Sequence, residues 1–113
     1  MSLLSMLFGG KYPDSEYIEL LSPEEYKSKI TNKKVQLIDV RTPREYNTGH
    51  IKGAKNIDFY SRTFKREFEK LKKDKALYIY CRTGSRSRHA ANKLVEFGFK
   101  EIYDLKGGIA RWK

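Results

Sequence analysis

Ala76-Leu77-Tyr78-Ile79-Tyr80-Cys81-Arg82-Thr83-Gly84-Ser85-Arg86-Ser87 is the stretch on which the reading of the chain turns. Its first five residues form a short apolar, aromatic and β-branched run, the pattern of a buried strand. Cys81 ends that run, and two arginines, a glycine and two serines follow. From Ser87 onward Ala90, Ala91, Leu94 and Val95 recur at helical spacing. The lone cysteine of the chain therefore stands where a strand ends and a helix is about to begin. In open α/β sheets ligands bind at the carboxyl ends of strands. Free backbone N–H groups and the helix dipole favour an anion there.

A thiolate is such an anion. Between Arg82 and Arg86, at a helix N-terminus, Cys81 is expected to be ionised near neutral pH. Gly84 lets the loop curl, because glycine takes positive φ without strain. A curled loop aims successive N–H groups at one point. The plainer reading is a buried structural cysteine acting as a small hydrophobe. The flanking Arg, Thr, Ser and Gly argue against it, since an apolar core does not ring its cysteine with guanidinium groups.

Working outward, Val35-Gln36-Leu37-Ile38-Asp39-Val40 reads as a second buried strand. Thr42-Pro43-Arg44-Glu45 after it is a capping box, predicting a short helix from Pro43 to about Asn47. Asp39 and Arg41 then fall at the same sheet edge as Cys81. They would polarise the site or, more simply, form an ion-pair network that holds the loops, with Glu45 as a further member. Ser22-Pro23-Glu24-Glu25 is another capping box, for a helix running to about Ile30. Tyr17–Leu20, Ala54–Ile57 and Ile102–Leu105 are the remaining strand candidates. Phe64, Phe68 and Leu71 make one apolar helical face, opposite Lys65, Arg66, Lys70 and Lys72. Gly98 stops the helix after the cysteine loop. Gly107-Gly108 leads into a short terminal turn over Ile109–Trp112, expected to pack on the sheet; the glycine pair lacks the surroundings of a phosphate loop. His50 and His89 are weak candidates for a base beside Cys81; a loop histidine between Gly49 and Ile51 more simply bonds backbone. Tyr60 and Arg62 are candidate rim residues. Strands and helices alternating through short connections imply a parallel sheet covered on both faces.

Three blocks together resemble the rhodanese (sulfurtransferase) family. They are Leu37 to Tyr46 with Gly49 to Ile57, then the Cys81 loop, then Leu105-Lys106-Gly107-Gly108-Ile109-Ala110-Arg111-Trp112. The resemblance runs from about Leu37 to the last residues. It implies a rhodanese-like α/β fold, with a central parallel sheet of about five strands and helices on both faces. It also implies sulfur transfer through a persulfide on Cys81. Arg82, Thr83, Gly84, Ser85 and Arg86 would bind the substrate, with Asp39, Arg41 and Ser87 in support. In that mechanism Arg82 and Arg86 draw in an anionic donor such as thiosulfate, and the loop N–H groups stabilise the persulfide anion. Cyanide or an external thiol then takes the sulfur.

Loop length separates this chemistry from a related one. A cysteine phosphatase places five residues between its cysteine and arginine. Here four residues separate Cys81 from Arg86, and Ser87 occupies the phosphatase arginine's position. The tighter ring suits a single terminal sulfur better than a phosphate, which disfavours a phosphatase or arsenate reductase. A non-catalytic binding module that keeps the fold would usually lack the cysteine, which is present here. A sulfur-relay subunit for tRNA or cofactor thiolation would retain it.

Composition bounds the rest. With 113 residues the chain is one domain, and a domain this size buries only about 65% of its unfolded surface. One cysteine excludes an internal disulfide and any zinc site built from paired cysteines. It also means that no second thiol of the chain resolves a persulfide, so the acceptor comes from outside. No cofactor or metal is expected. A mean hydropathy of -0.72 and the lack of a long apolar run speak against membrane insertion, and a cytoplasmic location is expected. The net charge of +10 fits an acidic protein partner or tRNA, or simply a lysine-rich solvated surface. Met1 to Gly10 is apolar but short, with no basic region before it and no clear cleavage site after it. It reads as a docking segment, the remnant of a signal or a cloning scar. Residues 1–14 are expected to be a poorly ordered N-terminal segment and residues 15–113 the domain.

Overall fold

The computed structural model describes residues 15–113; the expectation for residues 1–14 lies outside them. Five strands form one all-parallel sheet: β1 (Ile18–Leu21), β2 (Gln36–Asp39), β3 (Lys55–Asn56), β4 (Leu77–Tyr80) and β5 (Ile102–Leu105). Their order in space is β1-β5-β4-β2-β3. The chain steps outward from β2 to β3, then crosses to the other side of β2 for β4. The strand order thus switches direction between β2 and β4, and in open sheets ligand crevices form at such a point.

Alternation along the strands divides the core in two. Leu77, Ile79 and Cys81 point to one face, and Tyr78 and Tyr80 to the other, as the period of two requires. On the first face lie α3 (Phe64–Glu69) and α4 (Ser85–Glu96), which bring in Phe64, Phe68, Ala90, Ala91 and Leu94. On the second face α1 (Pro23–Ile30) buries Tyr26 and Ile30, and α2 (Pro43–Asn47) lays Tyr46 against the cluster. Tyr26 sends its buried phenol O–H to the Ile79 carbonyl at 3.0 Å, which ties α1 to the centre of the sheet.

Both predicted capping boxes are present. Ser22 accepts from the Glu25 N–H while Glu25 accepts from the Ser22 N–H, and Thr42 and Glu45 do the same for α2. Element edges move slightly. β1 starts one residue later than expected, and β2, β3 and β4 are shorter than their apolar runs. Leu71 lies beyond α3. α4 begins at Ser85 rather than Ser87, because Gly84, with φ 113°, serves as its cap residue. The terminal turn is a 3-10 helix, Ile109–Arg111. Among the described residues no helix is long and apolar enough to cross a membrane.

Candidate active site

Cys81 follows β4 directly, next to the switch point, on the face that α4 covers. It is 1% exposed, more enclosed than an edge loop suggested. Its sulfur is nevertheless held by polar groups. Gly84 N–H donates to Sγ at 3.1 Å and Ser87 N–H at 3.3 Å. The thiol donates to Ser87 Oγ at 3.4 Å, and the Ser87 O–H donates to the Gly84 carbonyl at 3.3 Å. Such inward amides distinguish this cysteine from one sealed in hydrocarbon. Gly84 is required for its backbone: its left-handed φ suits glycine, while a Cβ there would meet nothing within 4 Å.

The far side of the loop is anchored by the terminal turn, a contact that sequence reading missed. Ile109 N–H donates to the Cys81 carbonyl at 2.9 Å, and Ala110 N–H to the Arg82 carbonyl at 3.0 Å. A trans peptide is planar, with its C=O and N–H on opposite sides. Tying these two carbonyls to the turn therefore aims the N–H groups of Arg82 and Thr83 away from it. Gly108 makes the approach possible, since a Cβ there would sit 2.3 Å from the Arg82 oxygen.

The charged residues sort into two pairs. Asp39 and Arg41 are both buried and joined at 2.7 Å. Asp39 also accepts the Arg41 backbone N–H at 2.8 Å, and Arg41 donates onward to the Gly49 carbonyl at 2.7 Å. This is the expected loop-holding network, but Glu45 is not part of its hydrogen bonding. Glu45 instead takes Arg86 through two hydrogen bonds of 2.6 and 2.9 Å, fastening α2 to the cysteine loop. Arg86 is thus committed to a carboxylate rather than free for a donor, while Arg82, Thr83 and Ser85 are exposed and Ser87 is buried. Glu45 and Arg86 are 41 positions apart, and no local pattern announces the pair.

The Arg86 hydrogen bonds, helped by those with Thr42 and opposed by burial, hold the Glu45 carboxyl down to about 2. A carboxylate depressed on folding stabilises the fold above its unfolded value of 4.5, and that contribution fades as pH falls toward 2. Glu45→Gln keeps a capping-box residue at this position but removes the charge. It should cost about 1–2 kcal/mol at pH 7, the pair being partly exposed. The deficit against wild type should shrink between about pH 5 and pH 3, read from urea midpoints. An unchanged deficit would show that the ion pair does not act on stability.

Neither histidine is hydrogen-bonded to Cys81. His50 bonds the Tyr46 carbonyl through Nδ1 at 3.0 Å and stacks on that ring, as expected of a structural loop histidine. His89 lies against Phe59. Tyr60 is exposed. A cleft of about 230 Å³ opens beside the loop, walled by Thr83, Gly84, Ser85, Arg88, Lys106 and Gly107 among others. Arg88 and Lys106 are cations that sequence reading left out of the site; each adjoins a motif but carries no spacing signal. No cluster of metal-ligating side chains occurs among the described residues.

Comparison with known proteins places this arrangement. The family model described as a rhodanese-like domain matches residues 22–113. The uncharacterized protein YqhL of Bacillus subtilis is 41% identical over 84% of this chain and 72% of its own length. Thiosulfate sulfurtransferase GlpE of Pseudomonas paraeruginosa is 30% identical over 88% of this chain and 87% of its own. The tRNA uridine(34) hydroxylase of Acinetobacter baumannii is 39% identical over 81% of this chain, but the matched region is only 31% of that protein. A crystal structure of a rhodanese-like domain protein from Staphylococcus aureus superposes with a TM-score of 0.74 at 30% identity, covering 84% of this chain and 91% of that one. The five-stranded parallel sheet, the cysteine loop at its switch point and these matches together make the chain a member of the rhodanese-like family of sulfurtransferases.

Proposed function

We propose that the chain moves a sulfane sulfur from an anionic donor such as thiosulfate to a thiophilic acceptor, through a persulfide on Cys81. The observation that carries this reading is the pair of N–H groups, from Gly84 and Ser87, converging on the sulfur. The Cys81 thiolate attacks the outer sulfur of thiosulfate. A new S–S bond forms, the S–S bond of the donor breaks, and sulfite leaves with its electron pair. The persulfide carries one negative charge, which loop amides stabilise as they would an oxyanion. Once the thiol has lost its proton, the Ser87 O–H is free to turn from the Gly84 carbonyl to the sulfur. Cyanide then attacks the terminal sulfur, thiocyanate departs and the thiolate returns. In the cell a thiol takes the place of cyanide, in a reducing compartment such as the cytoplasm, where a single free cysteine persists. Ser87, buried against the sulfur where a phosphatase would place its arginine, supports this chemistry over a phosphatase.

A second reading is favoured by the single cysteine together with the net charge of +10. Here the chain is a persulfide carrier for tRNA or cofactor thiolation, handing sulfur to another macromolecule. Binding to tRNA that weakens steeply with salt would support it. Intact mass after thiosulfate treatment tests the persulfide common to both readings. One sulfur atom should be gained and then removed by cyanide; a chain that gains none is not a sulfurtransferase of this kind.

A further inference from the structure

At the amino edge of the sheet, opposite Cys81, lies a groove of about 760 Å³. It is walled by the entries to β2 and β3 and by the connection from α3 to β4. Four lysines stand round it: Lys34, Lys55, Lys72 and Lys75. All four are exposed, and none makes an ion pair among the described residues. Their neighbours Lys70 and Lys73 are paired with Glu67 and Glu69, and no carboxylate lines the groove. Between the lysines, Val35, Leu71 and Ala76 are only partly buried. The wall is preformed. Gln36 accepts the Lys72 N–H at 2.7 Å and donates to the carbonyls of Lys72 at 3.0 Å and Ala76 at 3.3 Å.

We infer that this groove binds an extended acidic segment of a partner protein, its carboxylates on the lysines and its apolar side chains on the floor. A solvated lysine face needs no concave shape and no apolar floor. Like-charge repulsion excludes a basic occupant, and an acidic one gains from the lysines what a neutral one does not. Nucleic acid is a poorer match. No arginine and no exposed aromatic ring lines the groove, whereas single-stranded recognition relies on stacking platforms. Tyr78 is buried and stacked on Tyr103 at 4.9 Å. The four residues of β4 put the groove on the order of 13 Å from the cysteine loop. Its occupant therefore leaves Cys81 open, and binding does not depend on the chemistry proposed there.

The test uses a fluorescein-labelled peptide, Asp-Glu-Leu-Glu-Asp-Leu-Glu-Glu-Asp, followed by fluorescence anisotropy. Wild type should bind it, with affinity falling as salt is raised. Replacing Lys34, Lys55, Lys72 and Lys75 together by glutamine should weaken binding on the order of 30-fold, as four exposed ion pairs acting together would. A control with Lys29, Lys65, Lys93 and Lys100 changed to glutamine removes the same charge elsewhere. It should stay within about threefold of wild type, on the fall-off of surface electrostatics with distance. Sulfur uptake from thiosulfate should be unchanged in the groove variant. Equal losses in both variants, no peptide binding by wild type, or tighter binding of an oligouridylate through the same four lysines would overturn the proposal.

Discussion

Cys81→Ser should abolish sulfur uptake while leaving the fold in place. The alcohol lacks the thiolate's nucleophilicity, and an oxygen cannot accept the sulfane sulfur to form a persulfide. A loss of at least about 10⁴-fold in thiosulfate turnover is expected, the scale seen when a covalent nucleophile is removed. The fold should tolerate the change because Ser Oγ can accept the same N–H groups from Gly84 and Ser87. The cost should stay near about 1–2 kcal/mol, since the sulfur also borders the apolar cluster under α4. Turnover and intact mass report the first effect, and the urea midpoint the second. A serine variant that still gains a sulfur would place the chemistry elsewhere.

The next largest effect is expected at a residue outside the cysteine loop. Gly108→Ala should lower stability by about 4 kcal/mol and slow sulfur transfer about 100-fold in the protein that remains folded. Gly108 has φ 66° and ψ -169°, a conformation confined almost entirely to glycine. An added methyl would also lie 2.4 Å from the Arg82 carbonyl carbon and 2.7 Å from the Cys81 oxygen. Those atoms are backbone, so the terminal turn and the loop must separate. Strain of this kind and overpacking each cost about 1–3 kcal/mol. Separation breaks the hydrogen bonds from Ile109 and Ala110 and frees the peptide planes that orient the Arg82 and Thr83 N–H groups. A misplacement of about 1 Å at a reacting group costs on the order of 100-fold. The decisive readout is kcat in the folded fraction, measured at low temperature beside a destabilised control such as Leu94→Ala. If kcat follows stability alone in both variants, the turn only props the sheet.

How legible these features were depends on the distance between the partners that make them. Ser22 with Glu25, and Thr42 with Glu45, are three positions apart, so a capping box is written in adjacent letters. The glycine cap of α4 was missed because the apolar helical pattern starts only at Ala90, leaving Ser85 and Arg86 looking like loop. Asp39 with Arg41 was readable as a local pair, whereas the hydrogen bonds between Glu45 and Arg86 join residues 41 positions apart. The polar residues flanking Cys81 suggested an open site, yet α4 folds over the sulfur and nearly seals it.

By itself the sequence determined the alternating elements, the two capped helices and the lone cysteine at a strand-to-helix junction. Each depends on side chains and backbone within a few residues of one another. Only the tertiary structure decided that Glu45 holds Arg86, that Gly108 carries the loop's anchor, and that four lysines from three segments surround one groove. Those contacts exist because the parallel sheet orders its strands β1-β5-β4-β2-β3 and so brings together residues that no short-range pattern relates.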